Sequence, residues 1–208
     1  MGRGIFITVE GTDGSGKTTQ VRRMEAYLKE KGYDVLLVRE PGGTRISEKI
    51  RSIILDPENQ EMGIVTEMLL YASARAQLVF EVIKPAIENG KIVICDRFVD
   101  SSYVYQGFGR GISLETIEEA NRAALGGISP DITFFFDVSP EIALKRRFAS
   151  TGADRIEKEK MAFHMKVYDG YKKLASMHTE RIKTIDSTRS VEEIWEDVRK
   201  WLDRIIDK

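Results

Sequence analysis

The sequence predicts an α/β fold: a five-stranded parallel sheet flanked by helices, with residues 1–208 forming a single domain. Three observations carry this. Five short apolar runs recur along the chain and mostly lack polar alternation, as strands covered on both faces do. Each run ends in a polar or turn residue. The segments between them carry apolar residues at helical spacing, and strand alternating with helix is the pattern of a doubly wound sheet. At about 150 residues per domain, 208 residues fit one core.

The elements follow in order. Residues 5–10 form the first strand, and residues 18–31 a helix on Val21, Met24 and Leu28 that stops at Gly32. Residues 35–39 are the second strand, and Ile46, Ile50, Ile53 and Ile54 mark a helix over 45–55. Residues 64–89 place Met68, Leu69, Ala72, Ala76, Val79 and Ile83 on one side of a long helix, with Pro85 bending its end and Asn89-Gly90 stopping it. The third, fourth and fifth strands fall at 92–96, 132–137 and, more weakly, 182–186, and helices at 114–125, 140–149, 157–178 and 191–206 complete the set. No fixed-period repeat, low-complexity tract or flexible linker interrupts them.

Lys plus Arg number 32 and Asp plus Glu 33, a formal charge of −1, which excludes a generally basic surface that coats nucleic acid. A hydrophobic share of 42% is enough for a sizeable core and excludes disorder. The single cysteine, Cys95, can form neither an internal disulfide nor a cysteine-based zinc site, which fits a reducing compartment. No run of about 18 apolar residues offers a membrane span. These features predict a cytoplasmic protein without membrane or nucleic-acid partners.

Gly11-Thr12-Asp13-Gly14-Ser15-Gly16-Lys17-Thr18 matches the phosphate-cradling pattern G-x-x-x-x-G-K-[ST] and sits where that pattern works, after a strand and before an amphipathic helix. Its glycines let backbone N–H groups turn towards phosphate oxygens, and the helix N-terminus adds its positive end. Lys17 reaches the β and γ phosphates of ATP, and Thr18 offers a hydroxyl to Mg²⁺. The motif predicts nucleoside triphosphate binding in a P-loop fold, and leaves kinase, switch GTPase and motor ATPase open. The strand at 92–96 delivers Asp96 to the same sheet edge, a carboxylate that can hold Mg²⁺ through water, opposite Thr18. Arg97 beside it suits an enzyme that holds a second phosphate better than a switch or motor.

Three further segments carry a resemblance: Arg39-Glu40-Pro41-Gly42-Gly43-Thr44, Leu69-Leu70-Tyr71-Ala72-Ser73-Ala74-Arg75, and residues 96–107 from Asp96-Arg97 to Gln106-Gly107. With the P-loop, they resemble the thymidylate kinases, nucleoside monophosphate kinases that convert dTMP to dTDP. The resemblance runs over nearly the whole chain. It implies that Asp13 bonds the deoxyribose 3′-hydroxyl and that Arg39 and Arg97 hold the dTMP phosphate in line with the γ-phosphate, with Arg51 a further phosphate candidate. It implies that Tyr71 stacks on thymine, that Arg75, one turn on, donates to a thymine carbonyl, and that Ser102 and Gln106 bond the base. Tyr105 falls where a ring crowds the ribose 2′ position, and Val104 stands where the family usually has alanine. A homodimer is also implied; the apolar face over 64–83 suits either that or cover for the sheet.

Some members of the family place an arginine inside the P-loop, and others bring one from a lid. Gly14 predicts the second arrangement, with residues 145–157 as the candidate lid and Arg146, Arg147 and Arg155 as candidate catalytic cations beside Lys17 and Arg97. Taken alone, that basic stretch reads as a solvated helix end; the resemblance is what makes it a lid. A small P-loop kinase with another acceptor would share the P-loop but has no use for Tyr71, Arg75, Ser102 and Gln106 as a set. A nucleotide switch has no use for Arg97.

Overall fold

The computed structural model describes residues 3–147 and 154–207. Its strands are β1 (Phe6–Glu10), β2 (Val35–Arg39), β3 (Ile92–Asp96), β4 (Ile132–Asp137) and β5 (Ile182–Asp186). They pair in parallel in the order β2-β3-β1-β4-β5. The helices are α1 (Lys17–Glu30), α2 (Arg45–Leu55), α3 (Ile64–Leu78), α4 (Lys84–Glu88), α5 (Val99–Ser102), α6 (Leu114–Leu125), α7 (Pro140–Arg147), α8 (Met161–Met177) and α9 (Val191–Ile206).

The central strands read as unbroken apolar runs because both of their faces are covered. Ile7, Val9, Ile94, Phe134 and Phe136 pack with Val21, Met24 and Leu28 of α1 and Ile194, Val198 and Leu202 of α9. Phe6, Val93 and Cys95 belong to a second cluster with Leu78, Ile83 and Ile87. Phe135 stacks on Tyr171 of α8. Each such buried side chain stabilises the fold by roughly 1.5–3 kcal/mol. At the edge, β5 buries only Ile182 on one face and Ile185 on the other and exposes Thr184 and Asp186, which is why its apolar run is the weakest.

Two helices depart from the sequence reading. The helix expected over 64–89 is interrupted by a π-helical turn at Val79–Ile83, where Lys84 N–H bonds Val79 O. Pro85 has no N–H to give residue 81, and the widened turn absorbs that loss before α4 resumes. The helix expected from residue 157 begins at Met161. Asp154 Oδ1 accepts the N–H groups of Ile156 and Glu157, closing a turn that competes with helix over 154–160. Residues 148 and 149 of the expected 140–149 helix, and residues 148–153 of the candidate lid, lie outside the described residues.

Connections leave β1 towards β2 and β3 towards β4, in opposite directions across neighbouring strands. An open α/β sheet binds ligands at the carboxyl ends of the strands flanking such a reversal. The P-loop follows one of these strands and Asp96 ends the other.

Candidate active site

α1 starts differently from the helices around it. Thr44, Ser113 and Ser190 cap α2, α6 and α9 through their side chains, the last in a capping box with Glu193. At α1 the N-cap is Gly16, at φ 90°, and no side chain caps it. The first-turn N–H groups and the positive helix end are left for an anion. Lys17, almost fully buried, folds back to donate to Gly11 O at 2.9 Å and Thr12 O at 3.0 Å. Burial, reinforced by nearby Arg97, pushes its ammonium pKa down against the opposing charge of Asp13, 3.9 Å away, and an arriving phosphate adds further countercharge.

An open cleft of about 580 Å³ lies over this loop, lined by Asp13, Gly14, Gly16, Lys17, Thr18, Asp96 and Arg146. Arg146, exposed at the end of α7, donates to Ser187 O at 3.1 Å. Arg147 ends the same helix, and its side chain lies outside the described residues. Gly14 has φ +86°, and a Cβ there would stand 2.0 Å from the Ala143 carbonyl of α7. A P-loop arginine at position 14 is sterically barred.

Beside the cleft is a cavity of about 240 Å³. It is lined by Asp13, Arg39, Arg51, Tyr71, Arg75, Arg97, Ser102, Tyr105 and Gln106, the whole acceptor set read from the sequence. Asp13 and Asp96 line both spaces. Arg39 and Arg51 each donate to Pro41 O at 2.9 Å, so two guanidinium groups converge at one wall. Burial and the neighbouring Arg39 charge lower the Arg51 pKa against the opposing charge of Glu48, which accepts from Arg39 at 2.9 and 3.1 Å. Arg97 donates to Asp13 Oδ1 at 2.9 Å and to Tyr171 Oη at 3.2 Å, and lies 5.3 Å from the Tyr105 ring centroid. Burial opposes its charge, but Asp13 beside it and the phenols of Tyr105 and Tyr171 hold its pKa up.

Two of the arginines read from the sequence are more buried than expected. Arg75 does share a face with Tyr71, but its side chain is 1% exposed. Its five N–H donors go to Glu40 Oε2 (Nε at 2.9 Å, Nη2 at 2.7 Å), Phe98 O, Ser102 Oγ and Asn121 Oδ1. It still lines the acceptor cavity. Arg155, expected as a mobile lid candidate, is buried: it donates to Ile54 O and Glu67 Oε2, each at 2.7 Å. It braces the fold away from the donor cleft.

The sequence reading missed the carboxylates behind these arginines. Glu10, at the end of β1, accepts from Phe98 N–H, Ser101 Oγ and Tyr171 Oη. Burial, and after it the charge of Asp100, raises its pKa. Glu40 pairs with Arg75, yet burial outweighs the pairing and lifts its pKa to about 7. Glu67 accepts from Gln106, Arg110 and Arg155. A signal existed for Glu67, since Glu67, Tyr71 and Arg75 succeed one another at spacing four.

A phosphate cradle and an arginine-lined second cavity at one sheet edge define a P-loop phosphotransferase that brings a nucleoside triphosphate up to a second, phosphate-bearing substrate. The family model for thymidylate kinase matches residues 9–198. Thymidylate kinase from Caldanaerobacter subterraneus subsp. tengcongensis is 54% identical over 189 residues, 91% of this chain and 90% of its own. That from Thermoanaerobacter sp. (strain X514) is 52% identical over 196 residues, 94% and 96%. A crystal structure of thymidylate kinase from Ehrlichia chaffeensis superposes with a TM-score of 0.78 at 34% identity, covering 97% of this chain and 99% of that one. The chain belongs to the thymidylate kinase family, phosphotransferases that move the γ-phosphate of ATP onto dTMP, giving dTDP on the way to dTTP.

Proposed function

We propose that phosphoryl transfer from ATP to dTMP takes place where the two cavities meet, at Asp13 and Asp96. The observation that carries this reading is that, among the described residues, Asp13 and Asp96 are the ones that line both spaces. The triphosphate lies over Gly11 to Thr18, with Lys17 at its β and γ phosphates. The dTMP phosphate lies among Arg39, Arg51 and Arg97, and its base passes between Tyr71, Ser102 and Gln106 towards Arg75. Tyr105 sets the sugar edge and Asp13 meets the 3′-hydroxyl.

Phosphoryl transfer spreads charge over the equatorial oxygens of the moving group, so positioning and cations do most of the catalysis. No general base is needed, because the acceptor is already an anionic phosphate oxygen. Lys17 and Arg146 line the donor side, and Arg146 or Arg147 supplies the further cation there; Arg97 fixes the acceptor at in-line distance. The residues fit Mg²⁺: Asp96 Oδ1 is buried without a hydrogen-bond partner, and Thr18 lines the same cleft. No cluster of three or more His, Cys, Asp or Glu exists among the described residues, which suits a cation held largely by phosphates and water. When bound, Mg²⁺ neutralises charge on the β and γ phosphates.

We also read a homodimer from Ile46 and Ile53 on α2 and Ile64, Val65 and Leu69 on α3, all exposed on helices that pack together. Light scattering on the purified protein tests it. No described helix is long and apolar enough to cross a membrane, and with its one cysteine a free, buried thiol we place the enzyme in the cytoplasm. An ADP-release assay over the nucleoside monophosphates tests the central reading: dTMP is the preferred acceptor. A stronger response to any purine monophosphate overturns it.

A further inference from the structure

Gln106 and Glu67 are both 1% exposed, and Gln106 Nε2 donates to Glu67 Oε1 at 3.0 Å. Glu67 is not free to turn. Arg110 donates to both of its oxygens, Nε to Oε1 at 3.1 Å and Nη2 to Oε2 at 3.0 Å, and Arg155 Nη2 donates to Oε2 at 2.7 Å. A carboxylate only accepts, so the Gln106 amide is obliged to turn its NH₂ towards Glu67 and its carbonyl the other way. Gln106 lines the acceptor cavity with Tyr71 and Arg75, and its Oε1 accepts no hydrogen bond from the described residues.

We propose that Glu67 is a specificity-positioning residue: it fixes the Gln106 amide so that an acceptor faces the base, selecting 4-oxopyrimidine monophosphates, which carry a donor at N3–H, over 4-aminopyrimidines, which present a lone pair there. This rests on the placement of the base beside Tyr71. The two arginines outweigh the opposing effect of burial and hold the Glu67 pKa below its ordinary value, so the carboxyl stays ionised across the working range. Glu67 touches no substrate in this arrangement and acts entirely through Gln106.

Glu67→Gln tests it at nearly constant shape. The new amide turns its oxygen to Oε2's place, where two cationic donors converge, and its NH₂ to Oε1's place, where it meets the single Arg110 Nε–H, which has to shift, and Gln106, which flips and presents NH₂ to the base. KM for dTMP rises about tenfold with a smaller change in kcat, and the dTMP to dCMP ratio of kcat/KM falls by about tenfold or more, the effect of one buried hydrogen bond exchanged for a clash of donors. Gln106→Leu raises KM for dTMP as well, and adding Glu67→Gln to it lowers the ratio no further. An unchanged ratio in folded Glu67→Gln, with KM raised in Gln106→Leu, overturns the role of Glu67 and leaves the base where it was placed. An unchanged KM in Gln106→Leu overturns the base placement itself. The unmodified enzyme supplies a test that needs no variant. As pH falls towards the N3 pKa of cytosine, dCMP gains an N3–H donor, and its kcat/KM rises relative to that of dTMP; a flat ratio overturns the proposal.

Discussion

Arg97 and Asp13 clasp one another at 2.9 Å across the point where the donor cleft opens into the acceptor cavity. The clasp joins the residue after β3 to the loop after β1, and Arg97 takes a backbone φ of +69° to make it, the only positive φ among described non-glycine residues. Such a backbone costs about 1–3 kcal/mol.

Arg97→Ala and Arg97→Gly are therefore expected to lose activity alike and stability unequally. Each lowers kcat/KM for dTMP by roughly 10²–10³-fold through loss of an oriented cation, while the glycine variant melts at the higher temperature because it adopts positive φ freely. Steady-state kinetics with calorimetry check both, and a glycine variant less stable than the alanine one contradicts the strain.

Lys17→Ala keeps the fold and removes most turnover, by roughly 10³-fold, because its charge acts on the transferring group. Near-normal kcat in a folded variant removes the P-loop assignment.

The three arginines of the candidate lid separate. Arg146→Ala or Arg147→Ala lowers kcat by roughly 10³-fold or more with little change in KM for dTMP, as an interaction made in the transition state requires. Arg155→Ala instead lowers stability by about 3 kcal/mol or less, since Arg110 still pairs with the Glu67 it leaves behind. Single-turnover rates and denaturant midpoints distinguish these patterns.

Glu40 gives a pH signature. Its pKa rises from 4.5 to about 7 on folding, so between those values the folded protein binds more protons than the unfolded chain. Its contribution to stability is complete below pH 4.5 and is lost as pH rises towards 7. Glu40→Gln removes this slope. Melting temperatures measured from pH 5 to 8 in both proteins check it; parallel curves contradict the shift.

The strands and the P-loop were legible because their signals are local: unbroken apolar runs, and a glycine pattern between strand and helix. That Tyr71, Arg75, Ser102 and Gln106 line one cavity was legible only through the resemblance carried by residues 39–44, 69–75 and 96–107. What stayed hidden depends on contacts distant in sequence. Arg155 reads as a solvent-exposed cation until Glu67, 88 positions away, is folded against it. Glu10 looks like the polar end of a strand, and only the fold brings Tyr171 to its carboxylate. The start of α8 was misplaced because one carboxylate, Asp154, closes a turn that periodicity does not register.

Gly14, held against the Ala143 carbonyl, also constrains how this chain can change by mutation. Any side chain at position 14 meets a backbone oxygen, which cannot be trimmed by a compensating substitution, so either the loop or α7 has to shift to admit one. α7 is the helix that carries Arg146, so the residue at position 14 and the setting of that arginine are coupled through one backbone contact.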